Sequence, residues 1–209
     1  MTGVATILDE KSEPACLEFA IGQIRQLEGL LGSVVGQGGE VRDIEIAAET
    51  GGRLHIQHVS TARTCDLVKA AKDRGVRVTA EACPHHLTIT EEAVAQFNTL
   101  ARVAPPLRTA ADRDAIRQAL REGVIDCIGT DHAPHTDIEK DQPFDQAPPG
   151  MIGLDFAFAQ CFTALVESGL MPLELLIRRM TCDPARVVGL PAGTLKVGSP
   201  ADITVIDLK

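Results

Sequence analysis

No cysteine in this 209-residue chain stands in a CxxC pair. The six cysteines (Cys16, Cys65, Cys83, Cys127, Cys161 and Cys182) are scattered singly through apolar surroundings. That pattern argues against a thiolate zinc centre or redox motif and for packing as small hydrophobes. An excess of positive charge is missing too. Twenty Lys and Arg against 29 Asp and Glu give a formal net charge of −9, which disfavours nucleic acid and anionic membrane surfaces as partners. No apolar run approaches the roughly 18–20 residues that span a bilayer. The first residues, MTGVATILDEKSEP, lack the basic start and apolar stretch of a signal peptide. A soluble cytoplasmic protein is expected. Tryptophan and tyrosine are absent as well, but this decides nothing about function.

Hydrophobic residues make up 44% of the chain, enough for a real core, and the length fits one ordinary domain or one large fragment of a bigger one. From residue 40 the pattern is regular. EVRDIEIAAETGG reads as an amphipathic helix stopped by Gly51–Gly52, RLHIQHVS (53–60) as a strand, and TARTCDLVKAAKDRG (61–75) as a helix with a Ser/Thr cap. VRVTAEACP (76–84) is strand-like, TEEAVAQF helical, AADRDAIRQALREG (110–123) a further helix, and VIDCIGTD a strand. Strands alternating with helices at this spacing predict parallel β/α units. A polar, proline-rich loop (135–150) precedes a helix near MIGLDFAFAQCFTALVESG. PLELLIRRMTCDPARVVGL then reads as short helices and TLKVGSPADITVIDL as a small hairpin or strand pair. In the first forty residues PACLEFAIGQIRQLEGLLG can form one helix, but no complete β/α unit is visible.

Parallel α/β folds place chemistry at the carboxyl ends of strands. Three strand ends here carry polar groups: His58, the pair His85–His86, and Asp131 with His132 and His135. Period-2 alternation sets Leu54, Ile56 and His58 on one face, and Ile125, Cys127, Gly129 and Asp131 on another common face. His58 and Asp131 are then the best-placed inward pair. Imidazole and carboxylate both suit zinc, which lowers the pKa of its bound water to about 7, and an aspartate beside that water can act as general base. The spacing alone leaves bland readings open. His58 can be a hydrogen-bonded core histidine, Asp131 can cap a turn, and His55 and His132 read as structural. Asp137, Glu139, Asp141 and Asp145 read as a solvated loop face.

In order along the chain stand HIQHVSTA, TAEACPHHLTIT, VAPPLR, GTDHAPH, EKDQPFDQAPPGMIGLD and GTLKVGSPADITVID. Together they resemble the class I bacterial dihydroorotases of the amidohydrolase superfamily, over roughly residues 40 to 209. TDHAPH followed by EKDxPFDxAPxGxxGL distinguishes that group from hydantoinases and allantoinases. The resemblance implies part of a metal-dependent (β/α)8 barrel, about strands six to eight, with a strand segment of a small β-sandwich. It divides the chain into 1–39, of unclear match; 40–190, barrel; and 191–209, sandwich tail.

It also implies a zinc enzyme of pyrimidine synthesis that interconverts N-carbamoyl-L-aspartate and L-dihydroorotate. His58 would be a zinc ligand, Asp131 both zinc ligand and general acid/base, and His135 a substrate contact. Pro149 and Gly150 would lie in the loop whose backbone meets substrate. Zinc-bound hydroxide would attack the ring amide while Asp131 passes the proton to the departing nitrogen.

Against that pattern the chain departs in two ways. The HxHxR motif of the first barrel strand has no counterpart, since all six histidines lie at position 55 or later. An asparagine that meets substrate is replaced by Ala104, a change worth roughly 1–3 kcal/mol. Catalytic zinc generally takes three protein ligands. With His58 and Asp131 as anchors, a third would have to be recruited from Cys83, His85 or His86. The isolated chain is therefore expected to be weak or inactive, with a homo-oligomer or another chain completing the site. The alternatives are a silent subunit assembling with aspartate transcarbamoylase, and a truncated product without a stable fold.

Overall fold

The computed structural model describes residues 5–8 and 39–208, so the reading of a helix after Pro14 lies outside the described residues. Four strands form one sheet in the order β1 (Ala5–Leu8), β2 (Arg53–Ile56), β3 (Val78–Ala82) and β4 (Cys127–Ile128). β2, β3 and β4 are parallel, as the alternation of strand and helix predicts, whereas β1 lies antiparallel against β2 with Ala5 opposite Ile56. The chain is thus α/β with a small, mainly parallel sheet.

Local chemistry sets the helix ends. α1 (Gly39–Thr50) precedes β2, and α2 (Ala62–Asp73) starts at Thr61, whose hydroxyl accepts a hydrogen bond from Thr64 N at 3.1 Å. α3 (Pro84–Thr88) is a single turn opened by proline directly after β3. α4 (Ala110–Glu122) is capped by Thr109 and closed by Gly123 at φ 83°, the left-handed stop that glycine supplies without strain. α5 (Asp137–Lys140) carries a complete capping box between Thr136 and Glu139. α6 (Ala157–Cys161) runs into a wider turn over Phe162–Glu167, and α7 (Leu173–Met180) and α8 (Cys182–Val188) follow.

Three local expectations change. The TEEAVAQF helix is a 3-10 segment, Glu91–Phe97, broken where Gln96 takes φ 57°. The MIGLDFAFAQCFTALVESG helix begins only at Ala157, because Met151–Phe156 is held as a loop across the top of the sheet. The strand pair expected in TLKVGSPADITVIDL does not form: residues 189–208 contain no strand, and Leu195, Val197 and Val205 are exposed. A two-stranded ribbon is marginal without further strands to pair with or a layer to cover it.

The core lies between the sheet and its helices. Leu54, Ile56, Val78, Ala80, Ala82 and Ile128 pack against Ile44, Val68, Ile116, Leu120, Leu165 and Leu176. This corrects the facing of β2. Leu54 and Ile56 point to the helices, and the opposite face carries His55, Thr79, Glu81 and Cys127. A Cβ on Gly129 would sit 2.5 Å from Glu81 Cδ, so the glycine makes room for that carboxylate. His55 is structural as expected, bonding Thr79 Oγ1 at 2.8 Å and Glu81 Oε2 at 3.2 Å.

At the amino end of the strands the charges are fully engaged. Asp126 accepts from Lys72 Nζ at 2.8 Å and from Ala80 N at 2.8 Å, while Lys72 also donates to the carbonyls of Gly123 and Val124. Asp183, 2% exposed, accepts from Arg178, Arg179 and Arg186. Arg179 in turn donates to the carbonyls of Leu120 and Asp126.

Candidate active site at the carboxyl ends of the strands

His58 follows β2 by two residues and Asp131 follows β4 by three. The pairing continues a little past the named strands through Val59 N to Glu81 O at 2.9 Å and Gly129 N to Ala82 O at 3.2 Å. At both exits the backbone turns left-handed: His58 has φ 37° and Asp131 has φ 46°. Such conformations cost on the order of 1–3 kcal/mol for a side-chain-bearing residue, and they cluster at functional sites. His and Asp are among the types that enter this region most readily. The turn takes His58 off the strand, so strand alternation cannot assign its facing.

The β3 exit lies between them. Cys83, His85 and His86 are all buried there. The two imidazoles tilt against each other with centroids 4.4 Å apart. Burial pushes the His85 pKa down to about 3, with the charges of His86 and His58 adding to the effect. The His86 pKa is pushed down to about 4 by burial, with His58 again contributing. Both rings are therefore neutral at pH 7. The Cys83 thiol is pushed well above its ordinary value by burial first, and then by the carboxylates of Asp131 and Glu81. These mutual influences tie the ends of β2, β3 and β4 into one locality.

Among the described residues, three buried ring nitrogens there have no hydrogen-bond partner: His58 Nδ1, His85 Nε2 and His86 Nδ1. Buried polar atoms are normally paired. A buried ring nitrogen left without a partner is a group that a ligand or metal can engage. Among the described residues the three-donor clusters are Cys83–His85–His86 and His55–Glu81–Cys127, and neither includes His58 or Asp131.

His135 and the 149–150 loop come together. His135 Nε2 lies 3.3 Å from Pro149 O, and Gly150 N donates to Arg102 O at 2.9 Å. A Cβ on Gly150, at φ 144°, would meet Ala133 O at 2.6 Å and His135 Nε2 at 3.1 Å, so glycine is required for this close approach. Lys140, 5% exposed, ties the loop down by donating to Thr99 O, Arg102 O and Pro148 O. Burial, helped by Arg102, lowers its pKa.

His132 has the structural role expected of it. Its Nδ1 accepts from Gly153 N at 3.2 Å and Leu154 N at 3.0 Å. Ala104 precedes Pro105, whose carbonyl meets His86 Nε2 at 3.0 Å. The sequence placed His85 and His86 at a strand end without giving them a contact. The signal was a proline opening a helix immediately after the strand, which turns both rings inward.

The amidohydrolase family model matches residues 20–209. The chain belongs to the amidohydrolase family. It is 54% identical over 167 residues to a dihydroorotase from Pelotomaculum thermopropionicum, covering 79% of this chain and 39% of that protein. It is 50% identical over 168 residues to a dihydroorotase from Deinococcus radiodurans, covering 80% of this chain and 40% of the relative. Among solved structures it is similar to an L-hydantoinase from Arthrobacter aurescens, with 32% identity and a TM-score of 0.73 over 78% of this chain and 37% of that one. The chain therefore spans about two fifths of the length of these amidohydrolases. No helix among the described residues is long and apolar enough to cross a membrane.

Proposed function

We propose that this chain supplies the last three strand ends, about strands six to eight of a (β/α)8 barrel, to a dihydroorotase-type cyclic amidohydrolase. Its reaction would interconvert L-dihydroorotate and N-carbamoyl-L-aspartate in pyrimidine synthesis. The observation that carries this reading is the pair of left-handed exits at His58 and Asp131, held over parallel strands in a chain so similar to dihydroorotases.

Each residue then has a task. Asp131, exposed at the mouth of β4, takes the proton of the attacking water and delivers it to the departing ring nitrogen. His135 and the Pro149–Gly150 turn hold the carboxylate-bearing ring, with Lys140 keeping that turn in place. A divalent metal held by His58 and Asp131, with further ligands from outside the described residues, would supply a water of lowered pKa. With two anchors and Ala104 in place of a polar contact, the chain alone turns over little or nothing.

A second reading keeps the fold and drops the chemistry: a silent subunit that assembles with aspartate transcarbamoylase. Ala104 and the incomplete ligand set favour it.

The test is dihydroorotate hydrolysis with zinc by the chain alone, and by the chain mixed with the preceding barrel segment of a dihydroorotase. The proposal expects turnover only in the mixture, and a loss of about a thousandfold with Asp131→Ala, in the range of removing a general acid/base. A folded mixture without turnover, together with copurification with the transcarbamoylase, would establish the silent subunit instead.

A further inference from the structure

The turn after β3 holds a group of donors that the proposed reaction does not use. Cys83 Sγ and one ring nitrogen each of His85 and His86 lie within 4.8 Å of one another, and all three residues are buried. His85 and His86 are each 3% exposed, and His85 Nε2 and His86 Nδ1 have no partner among the described residues. The His86 tautomer follows from its other nitrogen. Nε2 faces the Pro105 carbonyl at 3.0 Å, and a carbonyl only accepts, so Nε2 carries the proton and Nδ1 the free lone pair. Metal-bound histidines are typically oriented by such a bond from the second ring nitrogen to a backbone carbonyl.

The other three-donor cluster makes a useful contrast. In His55–Glu81–Cys127 both imidazole nitrogens are already bonded, one to Thr79 and one to Glu81. A cation there would have to break existing bonds. At the β3 turn it would fill positions that nothing else fills.

We propose that Cys83, His85 and His86 form a binding site for one zinc-class divalent cation, distinct from the His58 and Asp131 anchors. The donor set, one sulfur and two imidazoles, suits a borderline-soft ion. Tetrahedral coordination at bond lengths near 2.0–2.3 Å places donors about 3.3–3.8 Å apart, so the cluster closes by about an ångström, within reach of side-chain rotation. Binding breaks the Cys83 S–H bond and forms a sulfur–metal bond, the proton leaving to solvent. The two imidazoles bind as neutral lone-pair donors, His85 with its proton on Nδ1. The cation would replace two missing interactions, those of His85 Nε2 and His86 Nδ1, and fix the β3 turn against the loop at Pro105. The proposal does not rest on the hydrolase reading, and turnover is not its readout.

The experiment is titration of the full 209-residue chain with cobalt(II), followed by absorption spectroscopy and metal analysis. The expected result is a thiolate-to-cobalt charge-transfer band that saturates at one cobalt per chain. Cys83→Ser should abolish the band and weaken binding at least tenfold. His58→Ala, Asp131→Ala and Cys127→Ser should each leave the band in place. Where far-ultraviolet circular dichroism shows Cys83→Ser unfolded, Cys83→Ala carries the same comparison. The proposal is overturned by a folded chain that binds no cobalt, by a band that survives removal of Cys83, or by a band lost with Cys127→Ser. A band-free cobalt complex lost with His58→Ala or Asp131→Ala would overturn it too, while supporting the anchors of the proposed function.

Discussion

The two ends of the parallel strands satisfy their polar groups in opposite ways. At the amino ends, Asp126 and Asp183 sit among Lys72, Arg178, Arg179 and Arg186, and spare donors reach backbone carbonyls. At the carboxyl ends, three buried imidazole nitrogens have no partner among the described residues and two strand exits take left-handed conformations. The first arrangement locks helices α2, α4 and α7 to the sheet. The second leaves lone pairs and strain where a ligand can use them. Parallel α/β folds divide labour in this way, with stability at one end of the strands and chemistry at the other.

The largest expected effect lies at the amino end. Asp183→Ala removes the carboxylate that neutralises Arg179, which is only 9% exposed and lies 2.9 Å from it. Breaking a buried pair by deleting one partner costs about 3–5 kcal/mol, because the remaining charge stays buried and uncompensated. Urea denaturation of the chain should show that loss. In the complemented enzyme, kcat per folded molecule should be unchanged. A loss under about 1 kcal/mol would mean that Arg179 reaches water, and the contrast between the two ends would weaken.

Much of this division is legible in the sequence, and the exceptions have physical causes. Thr61, Thr109 and Gly123 announce helix ends because capping is a local bond or a local φ. Asp131 is legible because a carboxylate after a β-branched run marks a strand mouth. The facing of β2 is not. Period-2 alternation separates Leu54 and Ile56 from His55 but cannot say which set meets the helices, and the hydrogen bonds of His55 to Thr79 and Glu81 decide it. The tail fails for a related reason. Its alternating Ile203, Val205 and neighbours read as a strand, yet a strand needs a partner, and pairing is not local information. For His85 and His86 the sequence offered recruitment as metal ligands and no contacts, because the bond that orients His86 is to the Pro105 carbonyl, nineteen residues further on.

A pH titration sharpens the comparison at the other end. In the metal-free chain, His85 and His86 have folded pKa values of about 3 and about 4, against 6.5 when unperturbed. The unfolded chain therefore binds more protons between those values. The stability these residues contribute is fully present above pH 6.5 and is lost as pH falls toward 4 and then 3. The slope is about 1.4 kcal/mol per pH unit for each histidine over that window. Denaturation midpoints measured from pH 7 down to pH 4 should fall accordingly, and more gently in His86→Leu. A flat profile would show that both rings take up protons without leaving the fold.

The smallest effect has the opposite sign. His85→Leu replaces a neutral, buried ring whose Nε2 has no partner with a side chain of similar size that needs none. An unsatisfied buried polar atom costs about 1–3 kcal/mol, and exchanging it for apolar atoms of similar shape recovers part of that. The variant should gain about 1 kcal/mol in urea denaturation while losing the cobalt charge-transfer signal, because a residue kept for a ligand is a stability cost in the empty chain. No comparable substitution at Asp183 or Arg179 can stabilise the fold, since each would strand a charged partner. A loss of stability in His85→Leu would place a hydrogen bond on Nε2 and make the carboxyl end as saturated as the amino end. A gain without the spectroscopic loss would separate the orphaned nitrogen from metal binding altogether.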